Sequence, residues 1–126
     1  MTEVVSFEMQ DEAEYARAVQ AMESGDDTAK TKVAFFKLSG RGGAGVDVEG
    51  AVALLEERSL EGDGDAMWML GLCCLYGMGA EKDIRKAFSL FRQSRETGNV
   101  VGKFLLRGPD SGPGHLTRNV RLDWGL

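Results

Sequence analysis

Apolar and small residues recur along this chain at helical spacing, and they do so in the same order twice. Residues 66–99, AMWMLGLCCLYGMGAEKDIRKAFSLFRQSRETGN, place an unbroken apolar run before a glycine-rich turn and a two-faced run after it. A fainter copy, AKTKVAFFKLSGRGGAGVDVEGAVALLEERSLEGD, begins at Ala29. Ala29, Ala34, Leu38 and Gly40 precede Ala66, Gly71, Leu75 and Gly77 by 37 residues, whereas Asp47, Ala51, Leu55 and Gly62 precede Asp83, Ala87, Phe91 and Gly98 by 36. The one-residue shift falls in the glycine-rich connection, where a repeat tolerates insertion. Self-similarity at such a period signals stacked supersecondary units.

Each copy predicts two helices. Asp63 and Asp65 are short polar residues placed to accept hydrogen bonds from the free amides of a helix start. The first helix of the second unit is expected over 65–76. Gly77 and Gly79 stop it, because glycine takes the positive φ of a C-terminal cap without a Cβ clash. Asp83 caps a second helix over 84–97, where Ala87, Leu90, Phe91 and Ser94 recur at helical spacing, and Gly98 ends it. The upstream unit repeats the scheme over 28–39 and 48–60.

Half units flank the two copies. Residues 12–25 carry Tyr15, Ala18, Val19 and Met22 on one face, followed by Gly25 and two aspartates, and suit a lone second helix acting as an N-terminal cap. Residues 99–107, NVVGKFLLR, suit the first helix of a third unit, cut off by Gly108, Pro109 and the SGPG that follows. The expected architecture is all-α: a short α/α solenoid, a right-handed superhelix of helix-turn-helix hairpins, with about five or six helices. One repeat domain spans 1–108, with full units at 28–63 and 65–99, and an extended C-terminal tail spans 109–126.

Packing requirements agree with this scheme. Gly71 and Ala87, like Ala34 and Ala51 upstream, are small where the helices of a hairpin approach closely. Trp68, Leu70, Leu72, Cys73 and Leu75 surround the first helix of the second unit with apolar surface, as for a helix buried on both flanks. The middle hairpin is therefore the expected core.

The order L-G-x-x-x-x-x-G-x-G-x-x-x-D-x-x-K-A, followed by G-N, is formed by Leu70, Gly71, Gly77, Gly79, Asp83, Lys86, Ala87, Gly98 and Asn99, with Ala66 as the small residue that opens the unit. It resembles the Sel-one-like repeat, a relative of the tetratricopeptide repeat. The first unit departs from the pattern: Val33 and Ala34 replace the Leu-Gly pair, Gly50 replaces the lysine, and the loop is one residue longer. The repeat positions carried over are Ala34, Gly40, Ala51, Gly62, Ala66, Gly71, Gly77, Gly79, Ala87 and Gly98. The resemblance implies an adaptor that assembles protein complexes and carries no chemistry of its own.

Composition narrows the classes further. The chain has 126 residues, 43% hydrophobic and 28% charged, with a net charge of −5, as in ordinary globular proteins. Its longest uncharged apolar run, 66–80, falls short of the roughly 18 to 20 residues of a membrane span. The acidic start, MTEVVSFEMQDEAE, lacks a basic region followed by a long apolar stretch. A cytoplasmic location without membrane insertion is expected. Residues 1–102 hold 11 basic and 18 acidic side chains, and residues 103–126 hold 4 and 2. An acidic body argues against nucleic-acid binding, which needs an electropositive footprint.

One catalytic wording stands out. Gly40, Gly42 and Gly45 spell GxGxxG after KVAFFKLS, an apolar run that also suits a strand, with Glu61 and Asp63 downstream as ribose-binding acids. The aligned loop of the second unit keeps two glycines and loses the third, which a turn requirement explains and a cofactor requirement does not. Dinucleotide binding is the least favoured alternative, and no cofactor is expected. Adjacent Cys73 and Cys74 suit buried thiols. With His115 the only histidine, neither a metal site nor a nucleophilic triad is expected. Glu61, Asp63 and Asp65 lack the glycine and terminal glutamate of an EF-hand loop.

The expected function is that of a non-enzymatic interaction module presenting a concave helical-repeat surface to a protein or peptide partner. Candidate contacts are Lys37 and Arg41 in the first unit and Trp68, Met69, Leu72 and Tyr76 in the second, with core packing the competing role for Trp68 and Leu72. In the tail, Val120, Leu122, Trp124 and Leu126 alternate with Arg121, Asp123 and Gly125, the pattern of an extended segment with one apolar edge. Trp124 is the candidate anchor if that edge lies along a repeat groove, in its own chain or a neighbour's; a loosely packed end is the plainer account. Two full units plus halves fall short of the three that arrays usually need. A structural capping fragment, or a homo-oligomer formed through the C-terminal helix and tail, is therefore the second expectation.

Overall fold

Short polar side chains set the helix starts and glycines set several of the ends. The resulting elements are α1 (Thr2–Glu23), α2 (Ala29–Ser39), α3 (Val48–Leu60), α4 (Gly64–Tyr76), α5 (Ile84–Glu96) and α6 (Val100–Leu106). The computed structural model describes residues 2–106, with side chains from residue 9 onward. Arg107, the tail at 109–126 and its Trp124 lie outside the described residues. The fold is an all-α solenoid in which each helix packs on the next, with α4 at the centre between α3 and α5.

The caps repeat as the sequence does. Asp47 accepts the Gly50 amide at 2.9 Å and Asp83 the Lys86 amide at 3.0 Å, starting α3 and α5. Asp63 and Asn99 immediately precede α4 and α6 and accept the amides of Asp65 and Ala66, and of Val101 and Gly102; Asp26, three residues before α2, accepts the Thr28 amide in the turn that leads into it. Asp65, expected to share the capping of α4, bonds sideways instead to Trp68 and Asn99. At the other end Gly40 and Gly77 take φ of +73° and +69° and return their amides to Phe36 and Cys73.

The loop insertion is accommodated between two equivalent bonds. The Asp47 amide donates to the Lys37 carbonyl and the Asp83 amide to the Cys74 carbonyl, both at 2.9 Å. The extra residue of the first unit is taken up between them, in a loop that contains a 3₁₀ turn at Arg41–Gly43, and this turn packs on α1. Helix α1 itself begins ten residues before the half unit expected at 12–25. Neither glycine nor proline occurs from Thr2 to Glu23, so nothing in that stretch breaks the helix.

The core follows the middle hairpin. Helix α5 is two-faced, with Ala87, Phe88, Leu90, Phe91 and Ser94 buried. Helix α4 is buried nearly all round, through Ala66, Met67, Met69, Leu70, Gly71, Cys73, Cys74 and Leu75. Gly102 brings α6 onto α5, since a Cβ there would lie 2.5 Å from the Ser94 hydroxyl and 2.7 Å from the Arg95 amide. That hydroxyl is itself buried and donates to the Gly64 carbonyl at 2.8 Å, tying α5 to the start of α4.

Candidate functional site

The first helices of successive units leave an apolar groove between them. Phe35 and Leu38 of α2 form one wall, Trp68, Met69, Leu72 and Cys73 of α4 the other, and Met78 closes the end; its volume is about 200 Å³. Toward the helix starts the groove runs into a more polar hollow of about 320 Å³ bordered by Thr28, Thr31, Lys32, Asp63 and Asp65, with Phe35 and Met69 shared. Phe35, Met78 and Tyr76 are 36%, 41% and 55% exposed. Apolar surface left in water at one place is what a docking partner would cover.

Local hydrogen bonds fix the walls. The Trp68 indole donates to an Asp65 oxygen at 2.9 Å, and the Asn99 amide donates to the same oxygen at 2.8 Å, so the cap of α6 helps hold the ring over α4. Thr31 donates to Asp63 at 2.6 Å, joining α2 to the start of α4. Burial pushes the Asp63 carboxyl upward, but the Thr31 hydroxyl, the Asp65 and Ala66 amides and the Arg58 charge together hold it below the usual carboxylate range. The polar end of the groove therefore carries a charged Asp63 at neutral pH.

The sequence candidates are divided by the structure. Trp68, Met69 and Leu72 line the groove, with Met69 buried, and Tyr76 lies one turn beyond Leu72 on α4. Lys37 pairs instead with Asp47 at 3.6 Å. Arg41 makes two bonds to Asp11, at 2.9 and 3.0 Å, and lies 5.8 Å from the centre of the Phe35 ring. Neither lines the groove. Trp124 lies outside the described residues. Phe35, Leu38 and Met78 were not among the candidates, yet the repeat register offered the signal: Phe35 falls 37 residues before Leu72.

The glycine loop has a different role from its wording. KVAFFKLS belongs to α2, so the strand that a dinucleotide fingerprint requires is a helix. The strand reading of that run is overturned. Gly42 instead lets the turn touch α1: with φ of +66°, a Cβ there would lie 2.7 Å from the Asp11 carbonyl oxygen and 3.0 Å from the Tyr15 Cβ.

Helix α4, the following turn and α5 form one hairpin whose first helix walls the groove. Residues 64–99 match the Sel1 repeat. A crystal structure of a Sel1 repeat protein from Oxalobacter formigenes resembles the chain with a TM-score of 0.61 at 22% identity, over 71% of this chain and 36% of that one. The likeness is one of fold, and this chain spans little more than a third of that protein. No curated protein matches the chain. The Sel1 match begins at the first residue of α4 and ends at Asn99, the residue that caps α6 and steadies Trp68. Among the described residues no helix is long and apolar enough to cross a membrane.

Proposed function

We propose that this chain is a protein-interaction module that holds an extended apolar segment of a partner in the groove between α2 and α4. The observation that carries the proposal is the groove itself, an apolar trough on an acidic body, walled by the first helices of two successive units. Sel1 repeat proteins are generally protein-interaction modules, typically without enzymatic activity, which supports it. Trp68 would serve as a rigid anchor, since its indole is already hydrogen-bonded and loses little freedom on binding. Tyr76 would extend the contact beyond the closed end.

Selection of displayed peptides on the full chain tests this. Leu72→Glu and Phe35→Glu are each expected to weaken the selected peptides at least tenfold with the circular dichroism spectrum unchanged, while Lys37→Glu leaves them bound. Peptides indifferent to both groove variants would overturn the proposal.

A second reading, a self-associating subunit or end fragment of a larger repeat assembly, draws on α6. Val100 and Phe104 are 77% and 71% exposed, and Phe104 falls 36 residues after Trp68. Light scattering showing dimers that Phe104→Glu dissolves would favour it; a monomer at all concentrations would remove it.

A further inference from the structure

We infer that copies of this chain join end to end, with α6 of one copy seated in the hollow between α1 and α2 of the next. The inference rests on self-association through α6, the second reading of the function, and names the surface that receives that helix.

Repeat register makes the two surfaces a pair. In the groove between α2 and α4, Met69 belongs to the wall formed by the following first helix. Lys32 precedes Met69 by 37 residues, so it marks the side of α2 that faces a preceding first helix. Among the described residues that side is open. A hollow of about 350 Å³ lies there, lined by Ala18 and Ala21 of α1, by Ala29 of α2, and by Glu14 and Asp26 against Arg17 and Lys32. Helix α6 is itself a first helix: its Phe104 holds the register of Trp68, and Val100 and Phe104 stand exposed on it. Seated in the hollow, α6 becomes the first helix to which α1 is the second. Each unit of a helical array contacts only its neighbours, so the stack continues from one copy into the next with the helix order unbroken.

Charge supports the same polarity. Residues 9–23 of α1 hold 4 acidic side chains and 1 basic, whereas residues 84–106, from α5 through α6, hold 5 basic and 1 acidic. None of those five cations has an ion pair among the described residues. One end of the stack is therefore acidic and the other basic, which favours head-to-tail contact and opposes the meeting of two α6 ends.

Lys103 shows what the junction offers. It follows Lys30 by two repeats, and Lys30 bonds to Glu57 on the second helix of its own hairpin at 2.6 Å. In the junction α1 takes the place of that second helix, with Gln20 in the register of Glu57 and Glu23 one turn beyond. The rim of the hollow is itself neutral, two acids against two bases. Apolar contact of Val100 and Phe104 would therefore hold the copies together, and the charged ends would orient them. A contact between two different surfaces leaves each copy one free end, so the assembly grows instead of closing as a two-fold dimer.

Complementation between two full-length variants tests the inference. Light scattering on the unaltered chain is expected to give a mass that rises with concentration past that of two chains. Phe104→Glu spoils α6 and keeps the hollow, and Ala21→Arg fills the hollow and keeps α6. Each is expected to be a monomer with its circular dichroism spectrum unchanged. Mixed in equal amounts, they should form a one-to-one pair and stop there, because only one intact α6 and one intact hollow remain per pair. A mixture that stays monomeric would overturn the inference. Association abolished by Phe104→Glu but untouched by Ala21→Arg would also overturn it, leaving self-association through α6 standing. An unaltered chain that is monomeric at all concentrations, or that associates regardless of Phe104→Glu, would remove both. Should Ala21→Arg disturb the helices, disulfide trapping reads the same contact, since Cys73 and Cys74 are buried. In a mixture of Phe104→Cys and Ala21→Cys chains the mixed disulfide is expected to exceed either like-with-like product at least fivefold, and a statistical mixture of the three would reject the inference.

Discussion

Gly71 on α4 and Phe91 on α5 share one space: a Cβ at position 71 would lie 2.5 Å from Phe91 Cε1 and 3.1 Å from the Ala87 carbonyl oxygen. The first unit fills the corresponding places with Ala34 and Leu55, both buried. A larger residue on the first helix is matched there by a smaller one on the second. The two hairpins thus divide similar volumes differently, and the departure from the Leu-Gly pattern at Val33 and Ala34 has a packing counterpart.

Gly71→Ala is accordingly expected to cost about 1 to 3 kcal/mol through overpacking, despite alanine's better helix propensity. Phe91→Leu in that background should recover part of the loss, with a favourable coupling of about 1 kcal/mol in a double-mutant cycle. Urea midpoints of the four proteins measure it. Strict additivity would mean that the two residues do not compete for the same volume.

Docking of α1 makes a second contrast. The Arg41–Asp11 pair is largely on the surface, with Arg41 53% exposed, so Arg41→Ala should cost no more than about 1 kcal/mol. Gly42→Ala meets both a positive φ and the Asp11 carbonyl, and should cost about 1 to 3 kcal/mol. Hydrogen exchange is expected to rise in α1 while α4 and α5 keep their protection. Uniform loss of protection would show instead that α1 and the core unfold as one unit.

The hairpins were legible because their determinants are local: caps, glycine stops and helical period all act within a few residues. Residues 48–60 show this, bounded by Asp47 and Gly62 in the sequence and forming α3 in the structure. The start of α1 was not legible, since residues 2–11 carry no strong apolar face and only the absence of a breaker marks them. Half of the groove was missed for another reason. Lys37 on α2 and Arg41 in the turn that follows it are the charged candidates of the first unit, but long charged side chains readily find partners on their own chain, here Asp47 and Asp11. Phe35 was visible only through its register with Leu72.

The adjacent cysteines should be chemically quiet. Both are buried, and burial, helped by the neighbouring Cys74, pushes the Cys73 thiol up to about 11. Burial raises Cys74 as well. Since the thiolate is the reactive form, a disulfide reagent at pH 8 is expected to label neither thiol until urea unfolds the chain. Labelling in native buffer at the rate of a free thiol would contradict the packing of α4.

Asp63 should make the fold sensitive to acid. Its carboxylate caps α4, accepts from Thr31 and faces Arg58 at 3.4 Å, and the balance of burial against these partners lowers its pKa. A carboxyl depressed in the folded state contributes stability that is present above its unfolded pKa, near 3.9, and is lost as pH falls through the folded value. Asp63→Asn keeps a capping side chain but removes the charge, and should lower stability at pH 7 by about 1 to 3 kcal/mol. The difference from the unaltered chain should shrink as pH drops from 5 to 2.5, because the native carboxyl then becomes neutral too. Thermal melts of both proteins across that range measure it, and a difference constant with pH would show that the charge of Asp63 contributes nothing to holding α2 against α4.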